Sequence, residues 1–326
     1  MSYLSFSRFS VFGALILCAL SFTACLKEPD FGVDNPNQPE KARARIEITD
    51  APIDDPNVSG VFVTVADVKI NGKSWAGFSG IATFNLLALQ QGSTRLLGEG
   101  ELEAGTYDDI VLVLQTDKDA NGNSPGCYIV DGQGAKHAIS GSSSMSIRTN
   151  GMIATTTGTT TAAVIDFDLR RSVVYQQDSQ TEYKFVTEAE LAGALRIMEK
   201  ESTGSISGHV SDGVSGSEKI IVYAYDKGDF EADEKFPQGP SSILFKNAVS
   251  STVVQSDGTF KMAFMESGNY ELHFISYTQN AQGQLQARGE LQMNVLGTVL
   301  ANLLDVQVST GDNTEIDLKV SALLFF

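Results

Sequence analysis

Val58-Ser59-Gly60-Val61-Phe62-Val63-Thr64-Val65-Ala66-Asp67-Val68-Lys69-Ile70, followed at once by Asn71-Gly72, is the stretch that decides the fold. In an extended chain, side chains alternate between two faces, so Val61, Val63 and Val65 share one side while Val68 and Ile70 fall on the other. Both sets stay buried if one extra residue is inserted near Ala66-Asp67 as a β-bulge. Asn71-Gly72 then supplies the left-handed pair that a tight hairpin needs.

The neighbouring sequence follows the same grammar. Arg45-Ile46-Glu47-Ile48-Thr49 alternates and is broken by the turn-rich Asp50 to Pro56. The unbroken Ile110 to Leu114 reads as a central strand, and Tyr128 to Val130, Val164 to Leu169 and Tyr183 to Val186 read as others. Helical periodicity is scarce, with one short turn around Asn85 to Leu89 ended by Gly92. The threonine-rich Thr155 to Thr161 reads as an edge hairpin, since threonine favours strands.

At Glu199-Lys200-Glu201-Ser202-Thr203 the apolar pattern lapses, and a second unit opens with Gly204-Ser205-Ile206-Ser207-Gly208-His209-Val210. Strands are expected at Lys219 to Tyr225, Val249 to Gln255, Phe260 to Phe264, Tyr270 to Tyr277, Gln286 to Val295 and Thr314 to Val320. Short strands at this spacing imply an Ig-like sandwich. The expected fold is therefore all-β, two tandem sandwiches over 43–200 and 203–326. A Gly-x-Tyr step recurs as Gly105-Thr106-Tyr107 and Gly268-Asn269-Tyr270, placing a tyrosine where its hydroxyl can pin a strand corner.

The beginning of the chain gives an address. Arg8 precedes an apolar run from Val11 to Phe22, which closes in Leu20-Ser21-Phe22-Thr23-Ala24-Cys25. That is the pattern of a cleaved leader rather than a membrane span. Residues 1–24 resemble a bacterial lipoprotein signal peptide, which implies lipidation at Cys25 and an outer-membrane location, with the cell surface preferred over the periplasmic face. An ordinary secretory peptide cut near Ala24 is the other reading. Residues 25–42, proline-rich and without apolar period, form a flexible tether. With 40 Asp and Glu against 23 Lys and Arg, nucleic acid is an unsuitable partner.

Two resemblances extend this picture. Thr49-Asp50-Ala51-Pro52, Leu96-Leu97-Gly98-Glu99-Gly100-Glu101-Leu102-Glu103-Ala104-Gly105-Thr106-Tyr107, Asp166-Phe167-Asp168 and Arg171-Ser172-Val173 resemble the motifs of an uncharacterised domain family of bacterial lipoproteins. The likeness spans roughly Ala44 to Met198 and brings no activity with it. Gly204 to Val210, Asp257-Gly258-Thr259-Phe260 and Ser267-Gly268-Asn269-Tyr270-Glu271-Leu272 resemble the carboxypeptidase regulatory-like, or transthyretin-like, domains. That class implies a non-catalytic spacer or recognition module, and the acidic insertion Asp226 to Glu234 departs from its pattern.

Candidate chemistry is sparse. Asp117, Asp119 and Asn121, within Asp117-Lys118-Asp119-Ala120-Asn121-Gly122-Asn123, have the spacing of a calcium loop, but Tyr128 stands where an EF-hand would place its bidentate glutamate. The same residues also make good turns, and both readings stand. Cys127, the cysteine left once Cys18 and Cys25 are assigned to the leader and anchor, reads as a buried thiol. His137, His209 and His273 lack metal-ligand spacing, and no nucleophile elbow or phosphate loop is present. Trp75 reads as a core residue, with sugar stacking as the alternative, while Tyr223, Tyr225 and Tyr277 are candidates for an aromatic recognition surface. The tail Ser321 to Phe326 is expected as a final strand or an exposed apolar docking segment. The sequence thus points to a membrane-anchored binding or scaffolding protein for a glycan or protein partner. A structural subunit of a surface assembly is the second reading, and a hydrolase built on paired carboxylates the third.

Overall fold

The Val58–Ile70 strand lies inside a nine-stranded sheet, and its register shifts between Val65 and Asp67, where the alternation required a bulge. The computed structural model describes residues 40–51, 58–176, 182–212, 216–280, 285–296 and 303–326. The leader, Cys25, most of the tether, and Pro52 lie outside those residues. Val61, Val63, Val65 and Val68 are all fully buried, so the bulge returns both sets of valines to apolar surroundings. Asn71 and Gly72 both have positive φ, 51° and 73°, and turn the chain into Lys73–Ser74. Such a left-handed pair matches the twist of the flanking strands.

The described chain is nearly all strand. In the first lobe the nine-stranded sheet runs Ser144–Arg148, Ile110–Gln115, Val58–Ile70, Tyr128–Asp131, Lys136–Ser140, Tyr183–Phe185 and Val173–Tyr175, with Lys73–Ser74 and Ala82–Asn85 also on Val58–Ile70. A four-stranded sheet, Leu195–Glu199, Thr160–Asp168, Lys41–Ala51 and Arg95–Glu103, contributes to the same apolar core. Ile46, Ile48, Ile165 and Phe167 from it meet Val63, Phe84 and Leu112 from the larger sheet. Trp75 is buried in this core, with Nε1 donating to the Glu101 carbonyl at 3.2 Å, which excludes sugar stacking on its ring.

Two expectations change here, and the short helical turn near Asn85 is borne out. Thr155 to Thr161 is not a hairpin: Ile153–Thr155 pairs with Gly105–Tyr107, whereas Thr160–Asp168 lies inside the four-stranded sheet. Threonine suits either position, and the long-range partners decided. The apolar turn after Asn85 is a 3₁₀ helix, Leu86–Leu89, and an α-helix appears at Glu188–Ala194 that periodicity did not mark. Thr187 and Glu190 form a reciprocal capping box there, a signal present in the sequence as Thr-x-x-Glu.

In the second lobe one hydrogen-bonded ladder joins Ser250–Val253, Lys219–Asp226, Gly268–Gln279, Leu285–Leu296, Asn313–Phe325, Thr203–Ser211 and Thr259–Glu266, with Val306–Val308 on Gly268–Gln279. Its inner face packs Ile206, Val222, Phe260, Phe274, Leu291 and Ile316 into one core. A second cluster on the opposite face contains Tyr223, Tyr225, Phe245 and Tyr277. These tyrosines are almost wholly buried, with Tyr223 and Tyr277 hydroxyls 2.6 Å apart, so they form no recognition surface. The sequence after Asp226 covers them.

Both tyrosine corners form. Tyr107 donates to the Glu103 carbonyl and Tyr270 to the Glu266 carbonyl, each at 2.8 Å and each four residues back. The pentapeptides Glu103-Ala104-Gly105-Thr106-Tyr107 and Glu266-Ser267-Gly268-Asn269-Tyr270 therefore build the same corner in each lobe.

Candidate functional site at the seam between the lobes

Lys41–Ala51 runs parallel to Thr160–Asp168, with Thr49 opposite Asp166, Asp50 opposite Phe167 and Ala51 opposite Asp168. Two motifs more than a hundred residues apart in the chain thus end side by side. Asp50, Asp166 and Asp168 are each buried. Such charges are costly unless paired, and the seam pairs two of the three.

Asp168 and Asp166 are paired. The Asp168 Oδ2 accepts from Arg170 Nη2 at 2.9 Å, its Oδ1 accepts the Arg171 backbone amide, and its carbonyl accepts from the Ser172 hydroxyl at 2.5 Å. It is thereby the N-cap of the 3₁₀ helix Leu169–Arg171. Arg196 Nε donates to Asp166 Oδ2 at 2.9 Å; Nη2 lies equally close but off the bonding direction, so that contact is ionic. Asp166 is still held above the usual carboxylate range, because burial outweighs Arg196. Asp50 has only the Leu169 amide on Oδ1, at 3.4 Å, and a contact from Gln90. Burial, then the charges of Asp166 and Asp168, push its carboxyl well up.

Arg170 then crosses to the second lobe. Its Nη1 donates to the carbonyls of Leu244 and Phe245, at 2.8 and 2.7 Å, and its guanidinium lies 5.2 Å over the Tyr223 ring. Phe245 stacks on the same tyrosine at 4.3 Å. Ile243 enters the core of the first lobe, and Ser241 donates to Glu190 of the capping box at 2.6 Å. Residues 241–245, which follow the acidic insertion Asp226 to Glu234, are therefore the part of the second lobe that grips the first here.

The acidic insertion Asp226 to Glu234 is itself partly buried. Glu234 is 1% exposed and accepts from Tyr225, Gln238 and Asn247, including the Asn247 amide. Phe230 stacks on His273 at 3.7 Å, while Phe236 stays exposed. Charge counting could not find this, because one carboxylate among five was captured by donors from three places in the chain.

The calcium-loop residues take a different arrangement. Asp119 Oδ1 accepts the backbone amides of Asn121 and Asn123 at 2.9 and 2.8 Å, and these donors, Asn123 foremost, lower its pKa. Asp117 and Asn121 are exposed. No group of three or more His, Cys, Asp or Glu able to hold a metal occurs among the described residues. Cys127 is wholly buried, and burial pushes its thiol up to about 11. His137 sits between Asp131 and Glu182, at 2.8 and 2.6 Å.

Between the lobes lies a small polar cleft lined by Thr49, Asp50, Gln90, Asp166, Ser251 and Lys261, among others. The chain approaches closely here. A Cβ on Gly92 would fall 2.9 Å from that of Ala263, and its φ of +86° already favours glycine.

By class this is an all-β protein of two joined lobes. Residues 41–186 match the family described as a domain of unknown function, DUF4382, which covers most of the first lobe. No curated protein matches the chain. Among solved structures, the Bacillus anthracis TIE protein is similar at 10% identity and a TM-score of 0.20, over 86% of this chain and 34% of that one. BcpA, the major pilin subunit of Bacillus cereus, is similar at 9% identity and 0.20, over 86% and 70%. GBS52, a minor pilin of Streptococcus agalactiae, is similar at 11% identity and 0.19, over 87% and 98%. The chain spans about a third of the length of the first of these.

Proposed function

We propose that this protein is a lipid-anchored, non-catalytic component of the outer membrane that presents two joined β-lobes for recognition of a glycan or a protein. The observation that carries the reading is the Asp168–Arg170 joint. Arg170 is held by Asp168 in one lobe and bonded to two carbonyls of the other, so buried charge is spent on fixing a shape. The leader-like residues 1–24 and the tether 25–42 support anchoring at Cys25, with the lobes held away from the bilayer. The regulatory-domain resemblance of 203–326 supports a recognition or spacer role for the second lobe.

The test is made in cells. Replacing Cys25 with alanine should release the protein from the membrane fraction, and protease added to intact cells should remove the wild-type lobes from the surface. A glycan array and a surface pull-down with the full chain should then return a partner. Retention of the Cys25→Ala variant in the membrane, or arrays and pull-downs that return nothing, would sink the reading.

A structural-subunit reading is favoured by one separate observation. Asn313–Phe325 pairs with Thr203–Ser211 only as far as Lys319, so Val320–Phe325 has one edge with no strand on it among the described residues. Leu324 and Phe325 are exposed there. An open apolar edge is a template for another strand. Crosslinking in cells that captures only monomer would exclude this second role.

A further inference from the structure

Two residues lining the seam cleft each carry a buried polar atom without a hydrogen-bond partner from the protein, Asp50 Oδ2 in the first lobe and Ser251 Oγ in the second, while Gln90 contacts the Asp50 carboxyl. Asp50 is 6% exposed and Ser251 5%. An unmade hydrogen bond at a buried group costs about 1–3 kcal/mol, so two on one cleft point to something that completes them. The cleft encloses about 20 Å³, which suits one water-sized molecule and little more.

Charge decides what kind of molecule it is. The charged side chains lining the cleft are Asp50 and Asp166 on the first-lobe side and Lys261 on the second, and Arg196 pairs with Asp166. Arg196 and Lys261 thus match the two carboxylates, so a cation would bring no balance. Burial pushes the Asp50 carboxyl well up, and a carboxyl accepts hydrogen bonds and, when protonated, also donates one. A serine hydroxyl does the same. Their common complement is a neutral molecule with donors and acceptors of its own.

We propose that Asp50 and Ser251 form a binding site for one water molecule that bridges the two lobes. Gln91 and Phe264, which also line the cleft, are held at φ of 58° and 55°. Backbone in this region persists only where the surrounding structure holds it, so both sides of the cleft are fixed in place. The proposal stands independently of the proposed cellular role.

A high-resolution crystal structure of the full chain tests it directly. The expected result is one density peak within hydrogen-bond distance of both Asp50 Oδ2 and Ser251 Oγ. No peak, a peak reaching only one of them, or a peak with the short multi-oxygen coordination of a metal would overturn the proposal. Thermal unfolding of the full chain gives a second arm. Asp50→Asn keeps a donor and an acceptor and should melt close to wild type at neutral pH. Ser251→Ala and Asp50→Leu should each lower the melting temperature, and together they should cost less than the sum. Strict additivity, or stabilisation by sodium, potassium or calcium that Asp50→Asn abolishes, would count against a bridging water.

Discussion

Arg170 donates to the carbonyl of Phe245 at 2.7 Å while its other terminal nitrogen is held by Asp168 at 2.9 Å, so one side chain joins a strand end of the first lobe to a loop of the second. Its side chain is 1% exposed. Arg170→Ala removes the bonds across the seam and leaves Asp168 buried without its partner. Breaking a buried pair in this way costs about 3–5 kcal/mol. Arg170→Lys should recover only part of this, because an ammonium cannot reproduce the guanidinium fork. Chemical denaturation measures the loss, and limited proteolysis should show new cleavage near residues 236–246.

Tyr107→Phe and Tyr270→Phe each delete one corner hydrogen bond, worth about 0.5–1.5 kcal/mol. The Tyr107 change should fall at the lower end, since Thr155 also donates to the Glu103 carbonyl, at 2.7 Å. The corners lie in different lobes, so the double variant should be additive within about 0.5 kcal/mol. Urea midpoints of the three variants check both statements.

His137 predicts a pH dependence. The hydrogen bond to Asp131, foremost, raises the His137 pKa above its ordinary 6.5. A raised folded value means the stabilisation is complete below the unfolded value and fades as pH rises through the folded one. Asp131 is lowered by the same contact, so its share is present above the ordinary carboxylate range and fades on acidification through its depressed value. Melting temperature followed from pH 6 upward should therefore decline, and His137→Gln should flatten that slope. An unchanged slope in the variant would refute the assignment.

Cys127 should be chemically silent. With its thiol at about 11 and no exposed surface, almost no thiolate is present or reachable near neutrality. Iodoacetamide should leave Cys127 unmodified in the native chain and alkylate it once denaturant is added, as peptide mass spectrometry will report.

The 117–123 loop separates two readings by experiment. Because Asp119 gathers the loop's own amides, Asp119→Ala should lower the melting temperature, whereas Asp117→Ala, at an exposed position, should leave it unchanged. Calcium and chelator should give superimposable melts. A calcium-dependent rise lost in both variants would assign the loop to the ion instead.

The sequence by itself determined the strongly alternating or unbroken apolar strands such as Val58–Ile70 and Ile110–Gln115, the Val65–Asp67 bulge, the Asn71-Gly72 turn, the two tyrosine corners and the burial of Cys127. Each depends on alternation, turn chemistry or a bond between residues a few positions apart, and such signals survive in a linear string. Tertiary structure alone decided that the Thr49-Asp50 and Asp166-Phe167-Asp168 motifs lie side by side, that Ser241 to Phe245, beyond the acidic insertion, grip the first lobe, and that the Tyr223 cluster is covered. Those outcomes rest on pairings across tens to more than a hundred residues. There the register of a parallel strand pair and the desolvation of a few buried charges set the energy, and neither quantity is written in any local stretch.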